Sequence, residues 1–344
     1  IGILALLGLL VLIGLHVPIG AAIGIAGLVS YTALDGFQKA SSIFGTEASS
    51  VFTNLEIAVI PLFLLMGNFA TAGGLSADIY RLAYAVVGHY RGGLAVSTVF
   101  GCAGFGAICG SSMATAATMT QVSLPEMLQR GYDPALAAGS VAAGGTLGML
   151  IPPSIVMVIY AFLTEQFVIA LFLAAIVPGI IAVITYWIAI ALVVRFKPEA
   201  GPPGPRLDWA ERWRVIKSAW TVVMLVTVVA GGIYSGILTV TEAAAMGAIL
   251  AFLIAFLRGR LSWAAFWKVL IETASNTAML YLIILGANIF AFSIAVSSLP
   301  EVVVTGIQAM DIPPIAVIFM LLLMYLVLGS IFETISSIVV TLPF

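Results

Sequence analysis

Two short runs in this 344-residue chain have the residue types to hold an ion or a small solute. They are Cys109-Gly110-Ser111-Ser112-Met113-Ala114-Thr115 and Gly144-Gly145-Thr146-Leu147-Gly148-Met149-Leu150-Ile151-Pro152-Pro153-Ser154. Both offer hydroxyl and backbone oxygens, which suit a hard cation, and neither contains a charged residue. Interior glycine costs a helix about 1 kcal/mol against alanine and proline about 3, so both runs are expected to interrupt helices. In hydrocarbon, unwound backbone persists only when buried in protein or lining a polar cavity. A third run, Gly329-Ser330-Ile331-Phe332-Glu333, adds an acid in apolar surroundings, which points to function by default.

Each of these residues also has a plainer reading. Gly110, Ser111 and Ser112 could serve close helix packing, and Gly145, Thr146 and Gly148 a structural kink. Pro152 and Pro153 stop a helix and Ser154 caps the next. Thr115 and Thr118 could bond back to their own helix, and Glu333 could tie down the backbone of its own hairpin. Glu56, Asp133, Glu242 and Glu272 read as helix-start acids favoured by the dipole.

The surroundings decide the fold class. Hydrophobic residues make up 62% of the chain and charged ones 8%, with mean hydropathy +1.20. Soluble domains carry roughly 25% charged residues, so the chain reads as an all-α integral membrane protein, a polytopic helical bundle. A net charge of −2 argues against a nucleic-acid partner. Cys102 and Cys109 lie about 10 Å apart along one helix, too far to bridge. His16 and His89 have no metal-ligand neighbours at useful spacing. Neither a His-Glu-x-x-His nor a Gly-x-Ser-x-Gly motif is present, so no enzyme chemistry and no cofactor is expected.

The elements that position the runs follow in order. Ile1–Tyr31 is expected to be one span kinked at Pro18, and Asp35–Asn54 a polar loop. Glu56–Ala72 spans again. Leu94–Cys109 is an outward leg, and Met113–Ser123, before Leu124-Pro125, is a return leg of eleven residues. That is about 16 Å of helix, half of a ~30 Å hydrocarbon core, so a re-entrant hairpin over 94–128 is expected. Asp133-Pro134 opens a helix with a capping acid and a first-turn proline. That helix should break over Gly144–Ser154 and resume, giving a broken helix over 134–163. Phe167–Val194, Val222–Tyr234, Glu242–Leu257 and Glu272–Ile294 are further spans. Trp209, Trp213, Ile216 and Trp220 mark an interfacial segment, as do Trp263 and Trp267. Ser297–Asp311 is a loop and Ile312–Leu328 enters the membrane.

Cations set the orientation. Arg195–Lys217 should be cytoplasmic, with Arg258, Arg260, Lys268, Arg130, Arg91 and Arg81 on the same side, which places the N-terminus in the cytoplasm. The loops on the far side contain no Lys or Arg beyond Lys39. The chain also reads as an inverted repeat. Pro61–Gly67 resembles Leu280–Gly286, and 43 residues separate Gly67 from Gly110 and Gly286 from Gly329. Opposed copies with paired hairpins mark many secondary transporters. The organisation expected is therefore a scaffold piece at 1–55, a first transport unit at 56–166, scaffold and interfacial helices at 167–267, and a second copy at 268–344. The second copy reaches Phe344 before any counterpart of Gly144–Ser154, so the repeat predicts a chain that continues for some tens of residues.

These motifs resemble the large membrane subunit of tripartite ATP-independent periplasmic (TRAP) transporters, within the ion-transporter superfamily. The resemblance rests on Leu15–Ile19, Gly110–Ala116, Gly131-Tyr132, Gly145–Ser154 and Gly329–Glu333; Glu333 stands where the family more often has Asp. It implies Na⁺-coupled import of organic acids, such as C4-dicarboxylates or sialic acid, by an elevator movement in the bacterial inner membrane. It implies as partners a periplasmic binding protein, a separate small four-helix membrane subunit and membrane lipids. Gly110, Ser111, Ser112, Gly145, Thr146, Gly148 and Gly329 are then expected to bind the coupling cation. Ser112, Thr115, Pro152, Pro153, Ser154, Ser330 and Glu333 would face the carboxylate substrate. A carrier of the same superfamily that needs no binding protein is the main alternative, and a membrane-embedded enzyme is a remote one.

Overall fold

A computed structural model describes residues 1–310 and 312–343, with the side chain of Ile331 also outside the described set. Asp311, the expected loop end, and Phe344 therefore lie outside the described residues. Among those described, the regular structure is helical throughout. Val168–Phe196, Val240–Leu257 and Trp263–Val296 are each long and apolar enough to cross a membrane, and three bent helix pairs qualify as pairs. The chain is an all-α polytopic membrane protein. It divides into two compact units, Ile1–Leu55 with Asn276–Phe344, and Glu56–Ser275.

In the first unit, α1 (Gly2–Gly14) and α2 (Ile19–Asp35) are separate helices. Pro18 does not kink one span: His16 turns left-handed at φ +62° and Pro18 caps the second helix. The expected polar loop after Asp35 is a helix, α3 (Phe37–Thr53). Its few apolar residues recur at helical spacing, and the buried ones are Ala40 and Val51. Helix α2 carries Gly20, Gly24 and Gly27 against the C-terminal half of a 34-residue helix, Trp263–Val296. A Cβ on Gly27 would sit 2.7 Å from the Phe290 nitrogen, and one on Gly286 would sit 2.6 Å from the Gly20 carbonyl oxygen. Small residues let the two backbones touch. Hydroxyls of Ser30 and Ser293 pair in that contact, Asn288 donates to Glu47 at 2.8 Å, and Phe52 stacks on Tyr281.

The second unit holds α4 (Val59–Ala72) and α5 (Leu75–Val87), bent by 69°. Then come α6 (Gly93–Cys109), α7 (Ser112–Gln129), α8 (Pro134–Leu150), α9 (Ile155–Leu163) and α10 (Val168–Phe196). The polar connector holds a short 3₁₀ turn, Pro198–Ala200, then α11 (Trp209–Ser218). The next span is α12 (Trp220–Val226), a π-helical stretch at Thr227–Gly231 and α13 (Gly232–Tyr234). Helix α14 (Val240–Leu257) opens on a capping box in which Glu242 reaches back to Thr239, two orphan donors satisfied at once. Helix α15 is Trp263–Val296, so the expected interfacial piece around Trp263 and Trp267 forms its first turns. From Asn276 onward the chain belongs to the first unit again: there the segment expected as a loop contains α16 (Leu299–Ala309), followed by α17 (Pro314–Ile331) and α18 (Thr334–Thr341).

The core of the second unit is α6, flanked by α7 and α8, with Leu94, Val99, Cys102 and Phe105 fully buried. Two expectations about α7 and α8 fail here. The return leg runs to Gln129 with Pro125 inside it, so its 18 residues rise about 27 Å and do not stop halfway. Packing of α7 along α6 and α8 outweighs the ~3 kcal/mol an interior proline costs. Gly144, Gly145 and Gly148 are helical; only Ile151–Ser154 leaves helical geometry. The glycines exist for contact. A Cβ on Gly106 would lie 2.6 Å from the Gly148 Cα, and one on Gly144 would lie 2.9 Å from Cys102 Sγ.

A different contact fixes α14. Arg258 donates to Asp78 Oδ2 at 2.6 Å, to the Gly73 carbonyl at 3.1 Å and to Thr221 Oγ1 at 2.6 Å. One guanidinium thus joins the end of α14, the α4–α5 corner and α12, with Asp78 only 13% exposed. Removing one partner of a buried pair strands the other charge, at roughly 3 kcal/mol. Arg258→Met is expected to lower the thermal transition in detergent, with Asp78→Leu recovering part of the loss when added to it. Lys39→Ala, which breaks an exposed pair with Asp35, should leave the transition where it is.

Candidate functional site

The interruption at Gly110 is real and has a physical cause. Helix α6 ends there with Gly110 at φ +63°, a conformation that costs L-residues with a Cβ. Its Cβ position lies 3.0 Å from the Pro153 carbonyl oxygen and 3.1 Å from the Ile155 nitrogen. Only glycine fits that approach. The Gly110 carbonyl in turn accepts the Ile155 N–H at 3.2 Å. The break of the first hairpin and the break between α8 and α9 therefore meet, 40-odd residues apart in sequence, and each satisfies a peptide group of the other.

Around that contact the polar groups are arranged closely. Ser111 caps α7, its Oγ accepting from the Ala114 N–H at 3.4 Å and its carbonyl from the Thr115 N–H at 3.1 Å. Thr115 is fully buried, and its hydroxyl lies 3.1 Å from Cys109 Sγ. The same thiol donates to the Ser111 carbonyl at 3.4 Å. Gly148 fits against this knot: a Cβ there would stand 2.6 Å from Thr115 Oγ1 and 2.7 Å from the Ser111 carbonyl oxygen. Gly145 does the same against Ala116, at 2.7 Å. Ser154 is buried and its hydroxyl donates to the Met149 carbonyl at 2.6 Å, so it closes the end of α8 and leaves the start of α9 without a side-chain cap. The Pro152–Pro153 peptide is cis, and both prolines are buried.

Two helix starts consequently converge. The N–H groups of Ser112 and Met113 on α7, and of Val156 and Met157 on α9, have no acceptor among the described residues. Such free donors with the positive end of a helix dipole suit an anion. Hydroxyls of Ser111 and Ser112 stand half-buried at the same place.

Not every expected residue joins this cluster. Gly110, Ser111, Ser112, Thr115, Gly148, Pro152, Pro153 and Ser154 do, and Gly145 supports it from α8. Thr146 faces away: its hydroxyl donates to the Ala143 carbonyl at 2.7 Å and lies 3.0 Å from the Tyr186 hydroxyl on α10. Gly329, Ser330 and Glu333 belong to the other unit. The chain is expected to break at Gly329-Ser330, yet α17 continues through both and bends at Phe332. Among the described residues, nothing outside its own helix lies within 4 Å of a Cβ on Gly329, so no neighbour there forces it out of the helix, and Ser330 simply bonds back to Val327. Glu333 caps α18 without a side-chain bond, its carbonyl accepting from Ser337. The parts that residue types did not reveal are the Cys109 thiol, the Ile155 N–H and Tyr186; a cysteine directly before the helix-ending glycine was the one available signal.

The chain is similar to known proteins along most of its length. The family model described as the DctM component of the tripartite ATP-independent periplasmic transporter matches residues 6–344. The C4-dicarboxylate TRAP transporter large permease protein DctM of Pseudomonas aeruginosa is 37% identical over 298 residues, 86% of this chain and 69% of that one. Its namesake from Rhodobacter capsulatus is 38% identical over 274 residues, covering 74% and 62%. The sialic acid TRAP transporter large permease protein SiaM of Vibrio cholerae is 28% identical, covering 85% and 68%. The chain spans about two thirds of the length of these relatives.

The geometry separates packing glycines from idle ones. Gly148→Ala should cost about 1–3 kcal/mol, the scale of overpacking, and push the α7 start off α8. Gly139→Ala on the same helix meets nothing within 4 Å and should stabilise by up to about 1 kcal/mol. Thermal melts of the two variants in one detergent give the comparison; equal shifts would refute the contact at Gly148.

Proposed function

This chain belongs to the DctM component family of the tripartite ATP-independent periplasmic transporters, and we propose on that premise that it imports organic acids coupled to Na⁺. The single observation that carries the reading is the meeting of the two chain breaks, Gly110 against Ile155, with free N–H groups on both flanking helix starts. A carboxylate is held by the N–H groups of Ser112, Met113, Val156 and Met157 and by the Ser112 hydroxyl. No Lys or Arg lies in either run, so the substrate's charge is offset by bound cation, and that mutual neutralisation is the coupling. Oxygens of Ser111, Ser112 and Thr115 supply hard ligands of the kind a small cation takes. Gly145 and Gly148 act by letting α7 come close enough for those ligands to share one place; on the second hairpin the corresponding break is the one between α17 and α18, where Glu333 stands, with Gly329 and Ser330 in the last turn of α17. The permease names of the relatives agree with transport, and no catalytic step is assigned. The substrate is a C4-dicarboxylate or a related acid such as sialic acid, delivered by a periplasmic binding protein. A small four-helix membrane subunit completes the assembly in the bacterial inner membrane, and the transport cycle is an elevator movement.

Uptake into proteoliposomes tests this, with the protein, its small subunit and its binding protein reconstituted and a Na⁺ gradient imposed. Labelled succinate or sialic acid should accumulate only with Na⁺ outside. Accumulation unchanged by Na⁺ removal would remove the cation role, and accumulation without a binding protein would favour the stand-alone carrier. Thr115→Val should raise the Na⁺ requirement about tenfold, equivalent to ~1.4 kcal/mol, with folding retained. Thr146→Val separates two roles: a shifted Na⁺ titration assigns its hydroxyl to the cation, and an unshifted one leaves it as a bridge to Tyr186.

A further inference from the structure

A cavity of about 370 Å³ opens between α8 and α10, on the side of α8 away from the hairpin tip. Its existence follows from a pattern of small residues. Ala135, Gly139 and Ala143 recur every four residues on α8 and line it, a spacing that normally lets helices touch. Here the facing residues of α10, Ala189, Ile190 and Val193 among them, stay back, and a Cβ on Gly139 would meet nothing within 4 Å. Apolar walls without partner atoms forfeit their dispersion contacts, so an apolar occupant is favoured.

The two ends differ. At one, the Tyr186 hydroxyl is engaged by Thr146. At the other stand Lys197 and Asp133. Lys197 is exposed and makes no ion pair or hydrogen bond through its ammonium among the described residues. Asp133 lines the cavity and uses Oδ1 to cap α8, accepting from Ala135 and Leu136; its Oδ2 takes no hydrogen bond among the described residues. From Tyr186 to Lys197 is eleven helical residues, about 16 Å, which is close to the depth of one leaflet of a ~30 Å hydrocarbon core.

We propose that this groove is a binding site for one phosphatidylethanolamine molecule, an acyl chain lying between α8 and α10 and the headgroup at Lys197 and Asp133. The charge pattern selects the lipid. Lys197 takes the phosphate and Asp133 takes the ammonium, whereas an anionic lipid such as phosphatidylglycerol would set a hydroxylated, uncharged group against the carboxylate. The bound chain fills the space that the small residues leave between α8 and α10. It does this whatever the transported substrate or coupling ion is, so it stands apart from the function proposed above.

The test is native mass spectrometry of the detergent-purified protein, first as extracted and then after titration with phosphatidylethanolamine or phosphatidylglycerol. The wild type should retain a single phosphatidylethanolamine and take it up in preference to phosphatidylglycerol. Gly139→Leu fills the groove and should abolish retention while the lipid-free thermal transition stays level or rises. Lys197→Glu leaves the apolar walls intact and should weaken retention several-fold. Retention of the same lipid by Gly139→Leu would overturn the proposal, as would equal uptake of the two lipids or an unchanged affinity in Lys197→Glu. Should Gly139→Leu fail to fold, Lys197→Glu and the lipid comparison still decide.

Discussion

Peptide groups taken out of water must find partners, and the hydrogen bond from the Ile155 N–H to the Gly110 carbonyl answers that demand at the point where it is hardest to meet. Two helices end close together, each leaving orphan groups, and each end repairs part of the other. The left-handed glycine, the two buried prolines and the serine that closes the end of α8 all follow from holding that contact. Among the described residues, what remains unpaired there is four N–H groups on the starts of α7 and α9. The same economy places Gly148 and Gly145 on α8: without a Cβ at either, the α7 start can lie against it.

Proline and glycine mark departures from helix only when neighbours enforce them, and that governs what the amino-acid order discloses. Gly110 is a break because another chain segment presses on it, while Gly329, with no such neighbour among the described residues, stays helical. Pro125 and Pro178 are accommodated inside α7 and α10, and at α7 the packing along α6 and α8 outweighs one lost bond. Pro18 does more than kink its segment, since His16 beside it takes a left-handed turn. The fold class and the two site-forming runs were legible from composition and residue type. The place where α8 unwinds was not, because Gly144–Gly148 and Ile151–Ser154 look equally helix-breaking until tertiary contact shows that only the second is. Thr146 illustrates the finer limit: one helical residue away from Gly145, it points to α10 by geometry that depends on the helix staying intact.

Polar side chains in the rest of the molecule act as local fasteners. Arg258 gathers three elements at one end of the second unit, and Asn288 with Glu47 pairs polar groups within the first. Both are cases where a charge or amide removed from water is matched by a specific partner, and where losing either member leaves the other stranded.

The connector after α10 is held through its own backbone. Gly92 donates to the Gly201 carbonyl, Asp133 to that of Ala200, and Gly204 to that of Gly88. The turns that precede α6 and α8 are thereby stitched to one strip of backbone, and through it to the foot of α10. Just past the stitches, Pro205–Leu207 make no main-chain bond among the described residues. Backbone hydrogen bonding thus ties the connector to the turns before α6 and α8 as far as Gly204 and stops there, ahead of α11.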